Sequence, residues 1–268
     1  MLRDITIGQF YPVGSPVHRL DPRVKVVAVL VYLISLFIFS SFTGYIVVTL
    51  FLASVIIMSR VPFSYIVKGL RPILILLLFT AFFNIFWTRG DIAFQWRFIT
   101  VTWQGLRKGL FMSMRLIYLI IGSSMLTYTT TPNQLTDAIE SLLKPLEALR
   151  VPVHDFAMMM SLALRFIPIL LDEANRIINA QSARGADFDE GSLWKRMKAM
   201  VSILVPLLVS SVRRAYDLAM AMESRCYHGG EGRTKMKPLQ YRTVDWTVYG
   251  VLVLYFILVV VVTSYIRI

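Results

Sequence analysis

The stretch FTGYIVVTLFLASVIIMS, Phe42–Ser59, runs for eighteen residues without a charge. A helix of that length rises about 27 Å, close to the hydrocarbon thickness of a bilayer. Working outward, three similar runs lie roughly at Val24–Ser40, Pro72–Thr88 and Gly109–Tyr128, and a fifth at Val244–Ile266. Of the 268 residues 56% are hydrophobic and 16% charged. Soluble domains usually hold about 45–50% and about 25%. The chain therefore reads as an all-α integral membrane protein with about five transmembrane helices. Its first residues, MLRDITIGQFYPVGSPVHRLDPR, show no apolar core and no small-residue cleavage site, so they are expected to be mature sequence and not a signal peptide.

Orientation follows from basic residues in short loops. Arg19, Arg23 and Lys25 precede the first span, and Arg60, Lys68 and Arg71 separate the second from the third. These loops are assigned to the cytoplasm, with the nearly chargeless SSFTG outside. The segment Thr88–Gln104 is then external, its aromatics at the interface, although Arg107 and Lys108 put basic charge on that outer side. The net charge of +12 is thus a matter of topology and not of nucleic-acid binding. Three parts follow: a membrane domain of four spans (1–130), a cytoplasmic module of amphipathic helices (131–243) and a last transmembrane helix (244–268).

The middle part carries fifteen Lys and Arg between Lys144 and Arg242. It opens on Thr131-Pro132, a cap and first-turn pair for an amphipathic helix, PNQLTDAIESLLKPLEAL. Pro152 marks a break, after which Val153–Gly185 and Ser192–Tyr227 read as two long helices, with Asp189 and Ser192 as turn and cap. Pro168 and Pro206 are expected to kink or restart them. Their apolar pieces are short, which suits helices lying along the cytoplasmic face. Two further crossings are the alternative.

These two stretches repeat one another. Ala174, Ala180 and Arg184 have the spacing of Ala215, Ala221 and Arg225, forty-one residues on. In INAQSARGADFDEG (Ile178–Gly191) and AMAMESRCYHGGEG (Ala219–Gly232) a lone arginine follows a small residue near the helix end. One reading is plain capping, since arginine and glycine both suit a helix C-terminus. The other is a pair of docking tips, presented side by side to a partner, with guanidinium anchors.

Several chemistries find no residues. There is no phosphate-binding G-x-x-x-x-G-K-[ST] loop, no H-E-x-x-H and no G-x-S-x-G. His18, His154 and His228 lack ligand spacing, and the single Cys226 leaves no internal disulfide. Asp172/Glu173 and Asp187/Asp189/Glu190 are the acidic clusters an enzyme could use; solvated faces and caps are the simpler reading. The spans are read as holding no acid for a proton relay, with Asn84 and Arg115 their polar exceptions. Gly105, Gly109 and Ser113 form a small-residue stripe for close packing, within the chain or on a partner.

HRLDPRVK before the first span, ALRFIPILLDEANRIINAQSARGADF and AMESRCYHGGEGRT together resemble the transmembrane T component of energy-coupling factor (ECF) transporters, most closely the shared-module type. The resemblance runs almost end to end. It implies a non-catalytic energy coupler in the cell membrane, with no cofactor of its own. Its partners would be two ABC-type ATPase subunits, which bind the ATP, and an interchangeable S component that binds a vitamin or metal ion. Ala183-Arg184-Gly185 and Ser224-Arg225-Cys226 match the family's paired X-Arg-X motifs, which dock on the ATPases; Cys226 stands where glycine is common. Seven methionines from Met158 to Met222 would suit an adaptable surface. An ordinary ABC permease with its own substrate pathway, or a membrane-embedded enzyme, is the alternative.

Overall fold

The computed structural model describes residues 10–39, 42–88, 91–96, 99–186, 193–229, 236 and 238–266. It is built of helices, with one short antiparallel hairpin among the described residues. Two compact units emerge, one of Gly8–Ile139 with Leu239–Ile268 and the other containing Glu140–Pro238.

The first unit holds the five expected spans. They are α1 (Pro22–Ile38), α2 (Phe42–Ser59), the short α3 (Phe63–Leu70) leading by a 3-10 turn into α4 (Leu74–Trp87), α5 (Trp103–Thr129) and the last helix, α9 (Thr243–Ile266). Six helices, counting a continuous Phe63–Trp87, are long and apolar enough to cross a membrane. They include Val153–Ala183 and Ala199–Glu223 of the second unit, so composition alone does not separate spans from the central helices. The 17-residue α1 falls just short of that length, at the lower limit for a crossing. Between α4 and α5 the segment expected at the interface forms β1 (Ile92–Trp96) and β2 (Ile99–Thr102), antiparallel strands.

In lipid the hydrophobic effect does not press one helix onto another, so contact depends on close packing and polar links. HRLDPRVK supplies the links. Asp21 caps α1 by accepting from the Arg23 amide at 2.9 Å, and Pro22 opens the helix where its missing N–H costs nothing. The Asp21 amide donates to the Asp245 carboxylate at 3.0 Å, and the Arg242 amide donates to its other oxygen at 2.7 Å. Asp245, buried in the first turn of α9, corrects the reading that the spans carry no acid: it ties two helix starts together. Lys25 donates to the carbonyls of Thr129, 2.8 Å, and His18, 3.1 Å, so its ammonium sits on the C-terminal end of α5. His18 bridges the Ser15 hydroxyl and the Tyr11 carbonyl. Burial, then the nearby Lys25 charge, lowers its pKa below the usual value and favours the neutral ring.

Farther along, Tyr32, Leu36, Tyr45, Val48, Leu52 and Tyr255 form a buried core. Its hydroxyls are satisfied by backbone or by each other: Tyr32 donates to the Tyr118 carbonyl, Tyr45 to that of Phe111, and Ser35 pairs with Tyr255. Arg115 caps the end of α1 by donating to the Phe39 carbonyl at 3.0 Å and lies over the Phe111 ring. Asn84 donates back to the Thr80 carbonyl within α4. Both polar exceptions thus donate to backbone carbonyls.

The small-residue stripe packs within the chain. A Cβ on Gly105 would sit 2.8 Å from the Ile85 carbonyl oxygen, and one on Gly109 3.2 Å from the Ile85 side chain, so α5 lies directly on α4. Gly105→Ala should therefore lower the thermal midpoint in detergent, by a cost of about 1–3 kcal/mol for overpacking against backbone. Gly250→Ala, where an added Cβ meets nothing within 4 Å, should leave it unchanged or raise it; equal midpoints for the two variants would refute the packing assigned to the stripe.

Candidate functional site

The second unit is built on α7 (Val153–Ala183) and α8 (Leu193–Glu223), each 31 residues long. They follow α6 (Pro132–Leu143), which starts with a reciprocal cap: the Gln134 amide donates to Thr131 Oγ1 and the Thr131 amide to Gln134 Oε1. The helix expected over residues 132–149 stops at Leu143, because Pro145 cannot donate to the α-helical ladder. Residues Lys144–Leu149 continue as a 3-10 helix ending on Arg150 at φ 64°. The prolines of the long helices behave differently. Pro168 and Pro206 both lie inside unbroken helix, so neither restarts it. The expected turn and cap at Asp189 and Ser192 lie outside the described residues.

The two arginine tips share one geometry. At the end of α7 the Gly185 amide donates to the Ser182 carbonyl at 3.0 Å and the Ala186 amide to that of Gln181 at 3.0 Å. At the end of α8 the Cys226 amide donates to Glu223 at 2.9 Å and the Tyr227 amide to Met222 at 3.0 Å. Each is a Schellman cap, which needs a left-handed residue one place after the arginine. Gly185 supplies it at φ 85° and Cys226 at φ 57°. The departure from glycine at Cys226 thus leaves the backbone of the motif unchanged, at a cost of about 1 kcal/mol in strain for a residue with a Cβ. Ala183, Arg184, Gly185, Ser224, Arg225 and Cys226 are all exposed. Among the described residues neither the Arg184 nor the Arg225 guanidinium meets a carboxylate or a hydrogen-bond acceptor.

Where the tips lie is decided by the contact between α7 and α8. Glu173 accepts from Arg214 Nη2 at 2.9 Å and from Ser210 Oγ at 3.4 Å. Farther toward the start of α7, Met158 Sδ accepts from the Tyr227 hydroxyl at 2.9 Å. Moving back along α7 therefore means moving forward along α8, so the helices run antiparallel. The two tips are not side by side, as the repeat suggested; they leave the crossing in opposite directions. Each arginine lies eleven residues beyond its member of the ion pair. At 1.5 Å per residue that is about 16 Å on either side, or about 30 Å between the tips. Glu173 and Arg214 are also forty-one residues apart, so equivalent positions of the repeat touch. The crossing is a local pseudo-twofold. Glu173 belongs to one of the acidic clusters of the sequence, and its carboxylate is committed to this contact, which the shared offset of forty-one residues signals.

Among the described residues no group of three or more His, Cys, Asp and Glu is gathered. His154 pairs with Glu140 at 2.9 Å where α6 gives way to α7, and His228 is exposed beyond α8. The face of α8 carries Met200, Leu204, Leu208, Val212, Tyr216 and Met220 at four-residue spacing, each at least half exposed. Such a row forms a continuous ridge along one side of a helix.

If the left-handed residue closes each tip, Cys226→Gly should slow hydrogen exchange of the Cys226 and Tyr227 amides about fivefold, and Gly185→Ala should speed that of Gly185 and Ala186 by a similar factor, for about 1 kcal/mol each. Unchanged exchange in both would refute the shared cap. Comparison with known proteins shows the family. The cobalt transport protein family, CbiQ, matches residues 14–236. The chain is 54% identical over 248 residues, 92% of either sequence, to the energy-coupling factor transporter transmembrane protein EcfT of Clostridium kluyveri. It is 48% identical to that of Ruminiclostridium cellulolyticum, over 95% of this chain and 96% of the relative. For the Bacillus subtilis protein of the same name the figure is 46%, over 92% of each. The chain belongs to this family, and it is the transmembrane energy-coupling component of an ECF-type transporter.

Proposed function

We propose that α7 and α8 form a lever whose two ends are each held by one ABC-type ATPase subunit, and that the protein itself performs no chemical step. ATP would be bound only by those partners. Ala183-Arg184-Gly185 and Ser224-Arg225-Cys226 are the docking residues, with the arginines as anchors and the flanking small residues allowing close approach. The observation that carries this reading is the pair of matched caps at opposite ends of one crossing. A dimeric ATPase presents two equivalent grooves, and a pseudo-twofold lever with equivalent, separated tips is its natural complement.

On this account the basic middle region and the N-terminus face the cytoplasm. The exposed ridge of α8, with Met200 and Met220 at its ends, receives a substrate-binding S component. Methionine-rich surfaces adapt to different partners, which suits one module serving several S components. Substrate specificity then belongs to the S component, a vitamin or metal-ion binder. Closure of the ATPases on ATP would shift both tips, and the shift would pass through the crossing at Glu173 and Arg214 to the S component.

The test is co-purification with the two ABC-type ATPases from the same genome. Wild type should hold both. Arg184→Glu and Arg225→Glu should each lose one ATPase, because the tips are too far apart to substitute for one another, and the double variant should lose both along with transport. Arg176→Glu, an exposed charge two turns before the first tip, should bind as wild type does. Full ATPase binding and transport by the double variant would overturn the docking role.

A further inference from the structure

The first unit contains a part-enclosed cavity of about 220 Å³ that the coupling role does not use. Its walls come from the start of α1 (Val24, Ala28), the end of α2 (Val55, Met58), the end of α5 (Met125) and the start of α9 (Val251). All four are the helix ends on the side rich in basic residues. The polar side chains in the lining direct their hydrogen bonds at backbone. Lys25 donates to the His18 and Thr129 carbonyls, Thr129 to that of Met125, and Ser54 to that of Phe51. What the cavity offers a ligand is therefore hydrocarbon.

Its volume is many times the roughly 10–15 Å³ that one water requires, and a dry void of this size among close-packed helices is unfavourable. Met58 and Val251, exposed by 53% and 54%, mark the open side between α2 and α9. Both helices read as spans, so that opening faces acyl chains and not water. At the same end two exposed arginines adjoin the lining in sequence: Arg19 precedes the lining residue Leu20, and Arg60 lies two residues after Met58. Basic residues at this depth recognise anionic headgroups.

We propose that the cavity is a lipid site, taking one acyl chain of an anionic phospholipid whose headgroup phosphate rests on Arg19 and Arg60. The bound chain fills the gap between α1, α2, α5 and α9 and completes the packing around the buried Lys25 and Asp245 links. The lining comes wholly from the first unit.

The full chain, washed extensively in mild detergent and then offered equal phosphatidylglycerol and phosphatidylcholine, should retain about one phospholipid by native mass spectrometry, with phosphatidylglycerol preferred. Ala28→Leu/Ser54→Leu, which fills the cavity, should retain at least fivefold less. Arg19→Gln/Arg60→Gln should hold both lipids equally. A phosphatidylglycerol with a photoreactive acyl chain, applied to wild type, should label peptides containing Val55 or Val251 in preference to other apolar helices, which keeps the test independent of how the filled variant folds. Equal retention by wild type and the filled variant, no retention by wild type, or labelling spread evenly over the exposed helices would each overturn the proposal.

Discussion

The functional architecture turns on one contact, the pairing of Glu173 on α7 with Arg214 and Ser210 on α8. An ion pair this exposed adds little stability by itself, on the order of 1 kcal/mol or less. Its importance is geometric. It joins equivalent positions of a repeated helix, and two like objects that touch at the same point are related by a twofold. The second contact, of the Tyr227 hydroxyl with Met158, sets the antiparallel course of the helices, and from the course follows the separation of their tips. Identical caps then make the two ends alike in backbone geometry.

The membrane unit depends on a different constraint. Without water to drive packing, its helices are held where backbone can approach backbone, as where Gly105 of α5 meets Ile85 of α4, and where polar groups cross between helix ends. Asp21, Lys25 and Asp245 do the second at one end of the bundle, Arg115 at the other. Each satisfies a group that a helix terminus would leave without a partner. These polar residues therefore hold the bundle together by tying helix ends to one another.

Much of this was legible in the sequence. Eighteen uncharged residues defined α2 to the residue, and Thr131-Pro132 placed the start of α6. The arginine motifs were legible as helix ends because glycine and small residues leave a local signature. What escaped was non-local. A repeat shows that two segments are alike but not how they face one another, so tips that look adjacent on paper lie on opposite sides of a crossing. Asp245 was overlooked because it stands one residue inside an apolar run, and only the fold brings the Asp21 amide to it. Pro145 ends α6 while Pro168 and Pro206 lie inside unbroken helix, a difference that the residues around each proline do not announce. The hairpin between α4 and α5 lay in a segment whose aromatics suggested an interface more strongly than a strand.

An antiparallel crossing separates the two arginine tips. The most direct measurement is a pulsed electron spin resonance distance between labels at Ala183→Cys and the native Cys226 in the otherwise unchanged chain. From the rise of the two helices beyond the ion pair the labels should lie about 30 Å apart, broadened by their linkers. A distance below about 20 Å, as two parallel helices with adjacent tips would give at ordinary interaxial spacing, would contradict the account.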